Sequence, residues 1–156
     1  MRLRFGLVPV LLLSAACVSG PGESRYIEAA ADYELFVEHV LPVLADRCAN
    51  PSCHGNVDRP LQLFAVHQHR VDPSMVFSDL PLTEEEIRLN YQRSLVFVSY
   101  QTSIEQCPLI SKPLAVSAGG VWHGGGAQFY EADDPQCDVI RTWLENTTSH
   151  QGHIQP

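Results

Sequence analysis

The sequence predicts a small, mostly α-helical domain with long loops, and three stretches carry that prediction. In DYELFVEHVLPVLADRC the apolar residues Phe36, Val40, Val43 and Leu44 recur at helical spacing, with Glu34, Glu38 and Asp46 between them. Thr83 is followed three residues later by Glu86, a capping box that opens a second helix with acidic residues in its first turn. Asp133 and Asp134 ahead of Pro135 announce a third helix, with Cys137, Ile140 and Leu144 on its inner face and Trp143 beside them.

Taken in order, the chain opens MRLRFGLVPVLLLSAAC, with two arginines, an apolar run from Phe5 to Leu13, small residues and then Cys17. This is the layout of an export signal, so residues 1–16 are expected to be a signal peptide. The run is too short to span a bilayer, and no later stretch approaches the roughly 20 apolar residues that spanning needs. LSAAC resembles the lipobox at which bacterial lipoproteins are cleaved and lipidated, although Ser14 stands where that pattern prefers leucine. Cys17 is therefore expected to carry lipid and to anchor the protein in the bacterial cell envelope, on a periplasmic or outer-membrane face. Cleavage after Ala16 without lipidation is the alternative. Residues 17–25 are small and polar and form a tether. Residues 26–148 form the domain, and the polar tail 149–156 is expected to be disordered.

Within the domain, the first helix delivers its C-terminus to Cys48, with a kink or restart at Pro42, which has no amide hydrogen and crowds the preceding turn. The segment after Gly55 is irregular, with Leu61 and Leu63 alternating as in a short extended piece. The second helix is expected to bury Ile87, Tyr91, Leu95 and Val98. Between the second and third helices, Gly119-Gly120 and Gly124-Gly125-Gly126 flank Trp122-His123; glycine is used where the backbone takes positive φ or passes close to another group, so close packing is expected here. The third helix ends near Asn146.

A net charge of -8, from 18 acidic and 10 basic residues, argues against nucleic acid as a partner. No paired carboxylates or Ser-His-Asp pattern suggests hydrolysis, so no enzymatic activity is expected and the acidic residues read as solvated faces. Exported cysteines end as disulfides or as cofactor attachments. With Cys17 assigned to lipid, the other four of the five cysteines fall as two pairs, Cys48 with Cys53 and Cys107 with Cys137.

The stretch CANPSCHG holds the first pair, with His54 directly after the second thiol. Covalent haem needs two thiols for the two vinyl groups and an imidazole for the iron from one short segment. The usual spacing is C-x-x-C-H; here it is C-x-x-x-x-C-H, and Asn50-Pro51-Ser52 supplies turn chemistry for the two additional residues. A Cys48–Cys53 disulfide and a metal site using both thiolates with His54 remain open from these residues alone.

The stretch VEHVLPVLADRCANPSCHG resembles the entry of the cytochrome c-like (class I-type) haem-binding domains of myxobacterial and planctomycete exported lipoproteins. LISKPLAVSAGGVWHGGGAQFYEADDPQCDVIRTWLENT is similar to the closing half of the same domains. The resemblance covers most of the chain from Phe36 to Asn146. It implies a cytochrome c-like helical domain with long loops around one covalent haem c, held by Cys48, Cys53 and His54. It also implies an iron ligand from the later half. His123 matches the family's histidine and has glycines on both sides, with Trp122 expected to cover the iron; Met75, in DPSMVF, is the alternative. Lys112 is expected to pair with a haem propionate. Cys107 and Cys137 depart from the family pattern, and their simplest reading is a second disulfide, stabilising by on the order of 3 kcal/mol. The function implied is that of a membrane-anchored lipoprotein passing single electrons to or from a redox partner protein. Two other functions stay open, a haem-free, disulfide-stapled envelope lipoprotein that binds or braces, and a haem-based ligand sensor.

Overall fold

The computed structural model describes residues 32–98 and 103–149, with side chains through 146. The signal peptide, Cys17 and the tether lie outside the described residues, as does the tail beyond Ser149.

The first helix, α1, starts as a turn at Tyr33–Leu35, widens into a π-helical turn at Phe36–Val40 and continues as an α-helix over Leu41–Arg47. The expected irregularity at Pro42 takes this form. A proline ring crowds the carbonyl four residues earlier, and a π turn just ahead of it opens the helix enough to relieve that clash. The wider turn keeps Phe36, Val40, Leu41, Val43 and Leu44 buried.

The second helix, α2 (Glu84–Val96), has the expected capping box: Thr83 Oγ1 accepts from the Glu86 N–H, and the Glu86 carboxylate accepts from the Thr83 N–H at 2.8 Å. A short helix that the sequence did not announce, α3 (Pro108–Ser111), buries Leu109 and Ile110. The last helix, α4 (Pro135–Ser149), is capped by Asp134, whose Oδ1 accepts from the Gln136 N–H at 2.8 Å. It runs past Asn146, so the first residue assigned to the tail is helical. Trp143 is fully buried and lies 5.4 Å from Phe36, ring centre to ring centre, and Tyr91 stacks edge-on to Phe36 at 5.3 Å. This aromatic cluster joins the first, second and last helices, each pair contributing about 0.5–1.5 kcal/mol beyond its buried area.

The inward face of α2 differs from expectation. Ile87, Tyr91 and Leu95 are only partly buried, whereas Glu86, Asn90 and Ser94 are fully enclosed. The irregular segment from Leu61 to Val71, whose backbone has no helix or strand to satisfy it, is the partner of Glu86 and Asn90. Asn90 both accepts from the Phe64 N–H and donates to the Phe64 carbonyl, each at 2.8 Å. Glu86 takes Arg70 Nε at 2.9 Å and Nη2 at 3.0 Å, together with the Val71 N–H at 2.9 Å. Arg70 spends its remaining donors on the carbonyls of Leu80 and Pro81. Glu86 is thus not part of a solvated face. Helix period identified a stripe, Ile87, Tyr91, Leu95 and Val98, that does pack against the core, but not the polar residues buried more deeply beside it, because backbone groups that lack ladder partners must bond to something when buried.

The second correction concerns Cys107 and Cys137, which are both buried and are not joined in a disulfide. Cys107 Sγ donates to the Phe97 carbonyl at 3.2 Å, which closes the end of α2, and Cys137 Sγ lies 3.9 Å from Arg141 Nη2.

Burial would raise the Glu86 carboxyl pKa, but the hydrogen bonds from Arg70, Thr83 and Val71 and the Arg70 charge outweigh it and hold it down to about 2. A depressed carboxylate stabilises the fold above its unfolded pKa and ceases to do so as pH falls through its folded one. Glu86→Gln, which leaves Arg70 buried without its counter-charge, should cost about 3–5 kcal/mol at pH 7. In denaturant titrations the gap between wild type and variant should shrink as pH falls from about 4.5 toward 2; a gap that stays constant over that range contradicts the assignment.

Candidate functional site: a two-histidine cavity

Asn50 organises the loop between the two thiols of CANPSCHG. Its carbonyl accepts from the Cys53 N–H at 2.8 Å and the Gly55 N–H at 3.0 Å, and its side chain accepts from the Ser52 N–H at 2.9 Å. Cys48 caps α1, and its carbonyl accepts from the His54 N–H at 3.1 Å. The chain doubles back so tightly that a Cβ on Gly55 would sit 2.1 Å from the Ala49 carbonyl oxygen. Glycine after the histidine is therefore a steric requirement of this loop.

The loop presents Cys48, Cys53 and His54 to a cavity of about 310 Å³, within the size range of cofactor sites. Leu44, Leu61, Phe97 and Leu109 supply apolar wall, and Lys112 and His123 complete it from the later half of the chain. A second cavity on the same two histidines is lined by Ser52, Arg59 and Gly124. Four of the five residues expected at the haem from the first and second halves, both thiols and both histidines, are thus brought together with the fifth, Lys112. Met75 lies in a 3₁₀ turn (Pro73–Phe77) and lines neither cavity.

His54 Nδ1 lies 2.7 Å from the Leu61 carbonyl, and His123 Nδ1 lies 3.1 Å from that of Gly126. A carbonyl only accepts, so each Nδ1 carries the proton. In the neutral rings each Nε2 then has its lone pair free, the tautomer of a metal-binding imidazole. Burial lowers the His54 pKa, and the nearby His123 and Arg59 lower it further against the Leu61 hydrogen bond, which favours the neutral ring. The two rings are 5.9 Å apart, centre to centre, and within 13° of parallel.

The thiols have a different character. Burial, then the neighbouring Cys53, pushes the Cys48 thiol up to about 12, so at neutral pH the unligated side chain is a neutral thiol. Among the described residues no group of three or more His, Cys, Asp or Glu side chains is placed to hold a metal ion. A zinc site on both thiolates and His54 would need these side chains gathered into such a group.

Lys112 is exposed, and Nζ donates to the Trp122 carbonyl at 3.2 Å. Trp122 itself is 77% exposed and does not cover the cavity, which corrects the expectation of an apolar lid. The glycines divide by role. Gly120 packs so closely that a Cβ would lie 1.9 Å from the Leu114 carbonyl oxygen, and Gly119 and Gly126 have positive φ. Gly124 and Gly125 are under neither constraint. Sequence reasoning missed Arg59, Phe97 and the carbonyl of Leu61. Arg59-Pro60-Leu61 follows the CHG motif closely enough to have been considered, whereas Phe97 comes from a distant helix end and leaves no local signal.

Gly55→Ala should therefore destabilise the protein by on the order of 2 kcal/mol or more, since backbone has to move. Gly124→Ala, whose Cβ would lie 3.6 Å from the Trp122 ring, should change stability by less than about 0.5 kcal/mol. Equal effects of the two substitutions in chemical denaturation would show that the loop is not packed as described.

No family model, curated protein or solved structure matches this chain, so the functional argument rests on these side chains and their geometry.

Proposed function

We propose that the chain is a single-haem c-type cytochrome that passes one electron at a time between redox partners and is held at a membrane by lipid on Cys17. One observation carries the reading. His54 and His123, from opposite halves of the chain, bring nearly parallel rings to 5.9 Å, each with Nδ1 tied to a carbonyl and Nε2 left as the donor. Two imidazoles on one metal, bonded at about 2 Å, have ring centres about 6 Å apart. Two protein donors alone do not complete a metal site, and a macrocycle supplies the remaining positions. Cys48 and Cys53 on the same cavity wall are the thiols that would hold it.

Haem c, when bound, supplies an iron that gains and loses a single electron. The chain's own residues do the rest. The Leu61 and Gly126 carbonyls orient the imidazoles and raise their basicity, which favours the oxidised state and a lower potential than a thioether ligand gives. Leu44, Leu61, Phe97 and Leu109 exclude water and lower the local dielectric. Arg59 and Lys112 bring positive charge to the walls, which acts in the opposite sense on the potential. Among the described residues no helix is long and apolar enough to cross a membrane, which is compatible with a lipid anchor as the means of attachment.

Made in a host with haem c maturation machinery, the mature chain should gain the mass of one haem. Cys53→Ser should leave at most one thioether, and replacing Cys48 as well should abolish attachment. A haem-free mature chain with a Cys48–Cys53 disulfide would overturn the proposal in favour of a stapled, haem-free envelope protein.

Cys17→Ser should release the protein into the soluble fraction or block signal cleavage. Wild-type protein that fractionates as soluble and carries no acyl mass would remove the anchor from the account.

A further inference from the structure

His123 is held far more narrowly than His54. The segment that carries it is pinned at its base, where the Ala115 N–H donates to the Phe129 carbonyl at 2.8 Å and the Gln128 and Phe129 N–H groups donate to Pro113 at 2.7 and 3.0 Å. The ascending side is fixed by Gly120 N–H to the Ala115 carbonyl at 2.9 Å and Val121 N–H to the Ser111 carbonyl at 2.8 Å. Beyond Val121 the pattern changes. The tip, residues 122–127, bonds to itself through Gly126 N–H to the His123 carbonyl at 2.9 Å and His123 Nδ1 to the Gly126 carbonyl. Among the described residues one hydrogen bond ties this tip to the rest of the chain, from Lys112 Nζ to the Trp122 carbonyl at 3.2 Å. Trp122 adds little apolar anchorage, being mostly in solvent, and three glycines in a row contribute no side chains.

We infer that Lys112 is a positioning residue for His123, latching the tip through the Trp122 carbonyl and so setting where the second imidazole stands. The Trp122 carbonyl belongs to the peptide unit that leads into His123, so a donor fixed on it restrains the plane from which the His123 side chain departs. Lys112 sits at the C-terminal end of α3, whose Leu109 and Ile110 are locked in the core, so its stem starts from a rigid point. Among the described residues it forms no ion pair with a carboxylate, which leaves the ammonium for the carbonyl. Lys112 is thus assigned the Trp122 carbonyl as partner, where the sequence suggested a haem carboxylate. The latch is independent of the haem proposal, whereas its consequence for the iron rests on it.

The test compares Lys112→Met, Lys112→Arg and wild type in the full chain, with haem attached and without. In the haem-free chain, backbone amide relaxation should show residues 122–126 losing order in Lys112→Met, with α1 and α4 unchanged, and Lys112→Arg restoring it. With haem attached, Lys112→Met should keep the haem mass but lose part of its low-spin absorption and bind cyanide roughly two- to tenfold faster, the range a single net hydrogen bond allows. Adding Lys112→Met to His123→Ala should give no further increase. Tip amides as ordered in Lys112→Met as in wild type overturn the latch. So does a haem-loaded variant of unchanged spin state and cyanide rate whose potential alone responds to salt, since that is the behaviour of a carboxylate partner. If wild type takes no haem yet the tip is freed in Lys112→Met, the latch stands and the cytochrome proposal falls.

Discussion

The position of His54 depends on the polar face that α2 turns inward. His54 is fixed by the Leu61 carbonyl on its ring and by the Leu63 N–H on its own carbonyl, at 2.7 Å each, so it can be no better placed than the segment that supplies them. That segment has no regular structure of its own. It is held because Asn90 takes both backbone groups of Phe64, and because Arg70 and the Val71 N–H close on Glu86. A buried ion pair is weak evidence for stability in general, since desolvation offsets most of its attraction. Its contribution here is positional, since satisfying the carboxylate requires Arg70, Val71 and Thr83 to converge on one point, and that convergence carries the 61–71 segment with it.

The two histidines are supported unequally. His54 sits in a loop braced by Asn50, by a glycine that has no room for a Cβ and by the α2 network. His123 sits on a glycine tip whose base is pinned and whose apex is held by Lys112. In a cytochrome, this asymmetry leaves one iron ligand fixed and the other dependent on an exposed lysine. The glycines fit the same division, with Gly120 serving close backbone approach at the base while Gly124 and Gly125 leave the apex without side-chain anchors.

Much of this could be read from residue order. The apolar period of Phe36, Val40, Val43 and Leu44 identified the buried stripe of α1; the Thr83–Glu86 box and Asp134 marked the starts of α2 and α4; and the thiol-thiol-histidine spacing pointed to residues that the fold gathers around one cavity. What could not be read depends on partners distant in sequence. Glu86 and Asn90 are polar by any scale, and their burial follows only once a ladderless segment is packed against them. Trp122 is a residue usually spent on packing, yet the tip that carries it projects into solvent. Cys107 and Cys137 are spaced well enough to suggest a disulfide, but each thiol has another neighbour, the Phe97 carbonyl and the Arg141 guanidinium.

The central claim is that His54 and His123 bind one iron between them, and electron paramagnetic resonance of the oxidised, haem-loaded protein tests it most directly. Imidazole planes within 13° of parallel split the iron orbitals that lie along them, so wild type should give a low-spin, rhombic signal. His123→Ala should convert that signal to high spin with the haem still attached. A wild-type protein that is already high spin, or one in which His123→Ala stays low spin while Met75→Ala does not, would contradict the account.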